Sequence, residues 1–220
     1  MVMVAVSAVV IAHNEEEHIA GCLESVLGQT VSVDEALLIL DSSTDGTEEI
    51  AAQYPVDIYE VEYGSIYPTR RLSVCAARND VVLAVEGDTV IAPDFLERGL
   101  RHLEEGYDAA TGNVYSRERT PMGDLTSFIS NLLPSTIYGG GPGFVLDRRS
   151  YMDMCKVRRI NGFVDICTGE LEIPLYKLSV IKDPQMAMWT ELPSTGQRRM
   201  IAGARMAGLA VTALRVLALV

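Results

Sequence analysis

Basic residues are missing from the opening third of this chain. Residues 1–69 contain no Lys or Arg and 13 acids, while the remaining 151 residues carry 18 bases against 17 acids. At 220 residues and a formal net charge of −12, general binding to a nucleic-acid backbone is excluded. Aromatic residues are scarce at 6%, with Trp189 the single tryptophan. The four cysteines, Cys22, Cys75, Cys155 and Cys167, show no CxxC spacing, so no zinc signature or dense disulfide framework is present; reduced core thiols in a cytoplasmic protein are expected. Neither GxGxxG nor GxxxxGK with a following Ser or Thr succeeds the first apolar run, and no Lys precedes Lys156. Both absences count against a dinucleotide-binding oxidoreductase and a P-loop NTPase. The N-terminal apolar run has no basic segment before it and ends in Asn14-Glu15-Glu16-Glu17, so it reads as a buried strand and not a signal peptide. No stretch is long and uncharged enough for a confident membrane span.

What is present is a core. The length of 220 residues suits one large domain, or at most a domain with an appendage, and an apolar fraction of 48% with 22% charged residues rules out wholesale disorder. Val2–Ala12 is rich in Val, as a central parallel strand should be, and Glu15–Leu27 continues as a helix with Ile19, Leu23, Val26 and Leu27 on one face and acids in its first turn. Strands are expected at Ala36–Leu40, Val56–Val61 and Val81–Val85, and helices at Thr47–Gln53, Arg70–Arg78 and Pro93–Glu104. This alternation predicts an α/β fold, a doubly wound and mostly parallel sheet with helices on both faces. Beyond Gly106 the period is harder to follow. Ala109–Tyr115 and Phe144–Leu146 are candidate strands around the break Gly139-Gly140-Gly141-Pro142-Gly143, and Glu170–Leu178 reads as a short helix.

In an open α/β sheet, ligands bind outside the carboxyl ends of the strands. That rule selects His13, Asn14 and Glu15 after the first strand, Asp41 to Thr47 after the second, and Glu86-Gly87-Asp88 after the fourth. All three ends are acidic or neutral. A nucleotide diphosphate there meets a negative field, which a divalent cation on Glu86 and Asp88 resolves; both offer hard oxygen ligands suited to Mg²⁺ or Mn²⁺.

The blocks Val9-Val10-Ile11-Ala12-His13-Asn14-Glu15-Glu16, Asp41-Ser42-Ser43-Thr44-Asp45-Gly46-Thr47, and Arg70 to Thr89 ending in Glu86-Gly87-Asp88 resemble family 2 glycosyltransferases with the GT-A fold, in order and in spacing. The resemblance covers roughly residues 5–200. It implies a nucleotide-diphosphosugar donor, a divalent metal and transfer to an acceptor with inversion. By that resemblance Ala12, Asn14, Glu15, Asp41, Arg70, Glu86 and Gly87 line the donor pocket, and Asp88 and Glu86 stand in for the metal-binding Asp-x-Asp. Gly169-Glu170-Leu171-Glu172 resembles the acidic pair that supplies the catalytic base, which is Glu170 or Glu172. Gln197-Arg198-Arg199 resembles a stretch placed near the diphosphate. The departures are Leu40 in place of an acid, Glu86 in place of Asp, Leu171 within the acidic pair and Met200 where processive synthases carry Trp. They leave a second reading open, a catalytically impaired GT-A domain that binds a nucleotide-sugar or serves as a scaffold.

The implied organisation is a GT-A domain over 1–200, with a nucleotide-sugar half at 1–105 and an acceptor half at 106–200, followed by an apolar and basic helix at 201–220. Arg205 and Arg215 make that tail a poor transmembrane segment. A helix packed on the domain and a helix in the membrane interface both fit it. The second suits a lipid-linked acceptor such as a polyprenyl phosphate, and places the protein in the cytoplasm or at the cytoplasmic face of a membrane. Trp189 reads as a core residue in preference to a sugar platform.

Overall fold

The computed structural model describes residues 4–64, 66–117, 120–132, 142–157 and 178–190. They fall within one unit spanning residues 1–190. In chain order the elements are β1 (Val6–Ala12), α1 (Ile19–Leu27), β2 (Glu35–Asp41), α2 (Thr47–Ala51), β3 (Asp57–Val61), α3 (Ile66–Ala76), β4 (Val81–Glu86), β5 (Thr89–Ile91), α4 (Phe95–Glu104), β6 (Ala109–Ser116), α5 (Pro121–Leu132), β7 (Gly143–Asp147), α6 (Arg148–Val157) and β8 (Val180–Thr190). Residues 170–177 of the expected helix Glu170–Leu178 and the tail at 201–220 lie outside the described residues, and Leu178 itself sits in a bend before β8.

The eight strands form one sheet in the order β3-β2-β1-β4-β7-β6-β8-β5. β3, β2, β1 and β4 run parallel, as do β6 and β8, while β7 is antiparallel to both β4 and β6, and β5 to β8. The expected mostly parallel, doubly wound sheet is therefore what forms. All seven residues of β1 are buried. Each large aliphatic there contributes about 1.5–3 kcal/mol by leaving water. Alternate residues feed opposite faces. Val6, Ala8, Val10 and Ala12 join Leu38, Leu40, Leu83 and Val85 under Ile19, Cys22, Leu23 and Val26 of α1 and Phe95 and Leu96 of α4. Val9, Leu37, Val82 and Ala84 pack instead on Val74 and Ala77 at the α3 side, with Phe144, Leu146 and Tyr151.

The second half explains its own illegibility. β7 pairs β6 only through Ala109–Thr111, so the edge of β6 beyond that point needs other partners. Side chains of α5 supply them: Asn131 accepts from the Val114 N–H at 2.8 Å and donates to the Val114 carbonyl at 3.0 Å, and Ser127 Oγ accepts from the Ser116 N–H at 2.9 Å. Strand β8 carries Pro184 in its interior, which reads against a strand. The ladder passes from Gly112–Asp183 to Asn113–Ala187 with a bulge, and Pro184 sits in the unpaired step. There the Met186 carbonyl comes so close to Gly112 that a methyl group on that glycine would lie 1.7 Å from its oxygen.

Candidate active site

Strands β2, β1 and β4 are neighbours, so their carboxyl ends open side by side. Helix α1 begins at Ile19 and has no acid in its first turn, in contrast to the expected start at Glu15. The acids before it are used across the gap to the next loop. Glu15 N–H donates to Thr47 Oγ1 at 2.8 Å, Glu16 N–H to Asp45 Oδ2 at 3.1 Å, and Gly46 N–H returns to Glu16 Oε2 at 2.9 Å. Asn14 and Ser42 each turn the chain out of a strand at φ 55°. That region costs a non-glycine residue free energy, and Asn tolerates it better than most. The Asn14 side chain offsets the cost by accepting the Thr44 N–H at 2.7 Å. Asp45, which receives Thr47 and Glu16, is held below the usual carboxylate range: burial pushes it up, and those hydrogen bonds more than offset burial. The two loops form one platform.

Asp41 stands at 4% exposure. Its Oδ1 accepts the N–H groups of Tyr63 and Gly64 at 2.8 and 2.9 Å and the Ser42 hydroxyl at 3.0 Å; its Oδ2 accepts Thr69 Oγ1 at 2.8 Å. Such charge-assisted bonds stabilise a buried carboxylate. In this structure Asp41 ties Tyr63, Gly64 and Thr69 over the end of β2.

Arg70 and Glu86 form an ion pair, with side chains only 7% and 18% exposed. The Arg70 guanidinium carbon also lies 5.8 Å from the Phe144 ring centre. Val9, Ile11, Ser73, Ala84 and Pro142 complete the small pocket around the pair. Glu86 thus continues the Val82–Ala84 face, toward α3. Asp88 goes elsewhere. The Gly87 N–H donates to the Ile11 carbonyl at 2.8 Å, and a methyl group on Gly87 would lie 2.8 Å from the Ala12 side chain. Only glycine permits this approach, and it sets Asp88 at the end of β1. Among the described residues the Asp88 carboxylate takes one hydrogen bond, from Thr89 Oγ1 at 3.0 Å. Its charge is felt by the buried Cys22 thiol, which is pushed far up, first by burial and then by Asp88.

Arg117 is the residue that sequence reasoning missed. It lies just past β6, and its guanidinium reaches over α1, where a methyl group on Gly21 would be 3.7 Å from Nη2. It also lowers the Cys22 thiol slightly against the upward push of Asp88 and Glu15. Nothing in the local sequence signals that a residue 29 positions after Asp88 returns to this edge; the β6–β8–β5 pairing brings it back. Glu170, Glu172, Arg198 and Arg199 lie outside the described residues.

Among the described residues no group of three His, Cys, Asp or Glu side chains is arranged to hold a metal ion. A cation at this edge would therefore have Asp88 as its protein ligand, with Glu86 already engaged by Arg70, and would take its other ligands from elsewhere. A single hard carboxylate with a spare oxygen fits Mg²⁺ or Mn²⁺ in that mode, since Mg²⁺ is commonly bound through one or two carboxylates plus substrate phosphates.

The profile described as Glycosyl transferase family 2 matches residues 7–129, more than half of the chain. This chain belongs to glycosyl transferase family 2. It is 31% identical over 118 residues to the glycosyltransferase AglE of Haloferax volcanii, across 50% of this chain and 39% of that protein. The matched part of the chain spans between about a sixth and two-fifths of the length of the curated relatives it matches. Among solved structures it is similar to S. aureus TarS 1–349 in complex with UDP-GlcNAc (TM-score 0.67, 16% identity, 88% of this chain and 60% of that one). It is likewise similar to the mannosyltransferase PcManGT from Pyrobaculum calidifontis in complex with GDP-Man and Mn²⁺ (TM-score 0.65, 19% identity, 96% and 64%). At these identities the likeness establishes the GT-A fold of this family 2 chain. No described helix is long and apolar enough to cross a membrane.

Proposed function

We propose that this protein transfers a sugar from a nucleotide-diphosphosugar to an acceptor, with inversion, at the edge formed by the ends of β1, β2 and β4. The observation that carries the reading is the contact of Gly87 with Ala12, which brings Asp88 beside the loop 12–15 at a strand end free of basic side chains before Arg70. TarS and PcManGT, similar in fold, hold UDP-GlcNAc and GDP-Man. Asn14, Glu15 and the platform they share with residues 44–47 face the nucleoside, and Asp41 holds Tyr63, Gly64 and Thr69 as a wall beside it. Arg70 positions Glu86 on the inner side of the pocket. A divalent cation on Asp88, when bound, neutralises charge developing on the departing diphosphate. Arg198 or Arg199 assists at the diphosphate, and Glu170 or Glu172 takes the proton of an acceptor hydroxyl on the opposite side of the sugar. A lipid-linked acceptor and contact of residues 201–220 with a membrane surface belong to the same reading.

The experiment is nucleotide-sugar hydrolysis in the presence of Mn²⁺, with a thermal-shift titration of UDP and GDP as a second readout, because specific binding raises apparent stability. Wild-type protein should hydrolyse at least one donor, and Asp88→Asn should abolish turnover while melting like wild type. Turnover unchanged in Asp88→Asn removes the metal role. Saturable nucleotide binding without any hydrolysis or transfer supports the scaffold reading instead.

A further inference from the structure

Trp189 is not a core residue. It is 38% exposed and stands beside Tyr115, 37% exposed, with ring centres 6.1 Å apart and a tilt of 31°. The pairing explains this: Tyr115 lies opposite Trp189, which lies opposite Val90, so the three share one face of the sheet. The core is built by the other face, where Val114, Met188 and Ile91 are 6%, 0% and 2% exposed. The rings are therefore left open by a strand whose core-facing positions are already filled. On β6, Asn113 lies two residues before Tyr115 and shares its side, and Arg117 follows just past the strand, its N–H donating to the carbonyl of Thr190, the residue after Trp189, at 3.0 Å. The Asn113 amide donates to the Tyr115 hydroxyl at 3.4 Å. The same ladder pairs Thr190 with Thr89, the residue after Asp88. Neighbouring strands are about 4.8 Å apart, so the backbone that carries Trp189 runs roughly one strand spacing from Val90, two residues after the proposed metal ligand.

We propose that Tyr115 and Trp189, flanked by Asn113 and Arg117, form a platform for a saccharide unit of the acceptor; this deepens, and rests on, the glycosyl-transfer reading. A pyranose presents an apolar C–H face and a rim of hydroxyls. The negative face of an aromatic ring attracts the first, and an amide and a guanidinium meet the second. A protein partner is the poorer match, since a stable interface covers about 800 Å² on each side and this patch is two rings bordered by polar groups. A chain of net charge −12 makes a nucleic acid poorer still.

Because Trp189 is the only tryptophan, its emission reports on the platform directly. The full chain is titrated with maltotetraose, mannotetraose and chitotetraose in EDTA without nucleotide. The expected result is saturable quenching or a blue shift with at least one of them, an apparent Kd raised about tenfold by Tyr115→Ala, and an unaltered titration in Asp88→Asn. Near-UV circular dichroism checks that Tyr115→Ala remains folded. No response to any of the three, or an equal response in Tyr115→Ala, overturns the platform. An emission shift with anionic phosphatidylglycerol vesicles but not with the saccharides overturns it in favour of a membrane-facing role. Donor hydrolysis measured without acceptor separates the two readings: loss of the platform leaves hydrolysis intact, whereas a wild-type protein that hydrolyses no donor removes the transferase reading and leaves the saccharide titration to stand by itself.

Discussion

Replacing Glu86 by Gln tests the division of labour at the end of β4. The substitution keeps shape and removes the charge that pairs with Arg70, whose side chain is 7% exposed. A hydrogen bond to a charged group is worth about 1.5–3 kcal/mol, and the contact of the Arg70 cation with the Phe144 ring offsets only part of that loss. The expected loss is about 1–2 kcal/mol. For a unit of this size each kcal/mol moves the midpoint by about 2–4 °C, so Glu86→Gln should melt about 2–8 °C below wild type. The assay is thermal unfolding with and without Mn²⁺ plus UDP or GDP. Glu86→Gln should keep its metal-dependent increment, and Asp88→Asn should keep the wild-type midpoint while losing that increment. The reasoning fails if Glu86→Gln melts like wild type, or if it loses the Mn²⁺ increment as Asp88→Asn does. The second outcome would make the two acids a shared metal pair.

The remaining predictions concern packing and pH. Gly87→Ala places a methyl group 2.8 Å from the Ala12 side chain and 3.2 Å from the Ile11 carbonyl, so urea unfolding should show a loss of about 1–3 kcal/mol, and nucleotide binding should weaken more than it does in a surface control. Glu35 is buried against Ser7 and Arg78; burial raises its carboxyl, but the Arg78 N–H, Ser7 and the Arg78 guanidinium more than offset this and leave it below the usual range. Its contribution is therefore present above the unfolded carboxylate value and lost as pH falls through the lower folded one, and urea melts in the acid range should show a shallower loss for Glu35→Gln. His102 runs the other way. Burial lowers it, yet the bonds to Asp183 and Glu105 raise it overall. Its contribution holds below about pH 6.5 and fades as pH rises through the folded value. Stability of His102→Gln should lack that decline; a wild-type profile flat across the same window would refute the assignment.

The parallel half of the sheet was legible because β1, β2 and β4 are buried on both faces, and short apolar runs rich in Val, Leu and Ile that stop at turn residues form little else; β3, at the edge, has no fully buried residue and follows from its place in the alternation. β1 to β4 and the polar strand ends could be read from pattern alone, as could Gly87 within its motif. The antiparallel half was not legible. β8 hides a proline in a bulge, β5 has only three residues, and the edge of β6 is satisfied by side chains of α5, none of which leaves a period in the sequence. At the site, sequence nominated Glu86 and Asp88 together because they lie two residues apart. That spacing implies a shared face only while the strand continues, and β4 ends at Glu86, so Glu86 turns to Arg70 while Asp88 follows the chain to the end of β1. Trp189 was expected in the core, the commoner place for a tryptophan; the pairing of three strands left it open to solvent.

By itself, then, the sequence determined the fold class, the family and the acidic strand ends at which we propose the donor site, since burial pattern and turn chemistry are local properties. Which carboxylate is neutralised by an internal cation, which remains open at the edge, and which aromatic rings face water were decided only by tertiary structure. Those outcomes depend on neighbours brought from distant parts of the chain, and no local pattern records them.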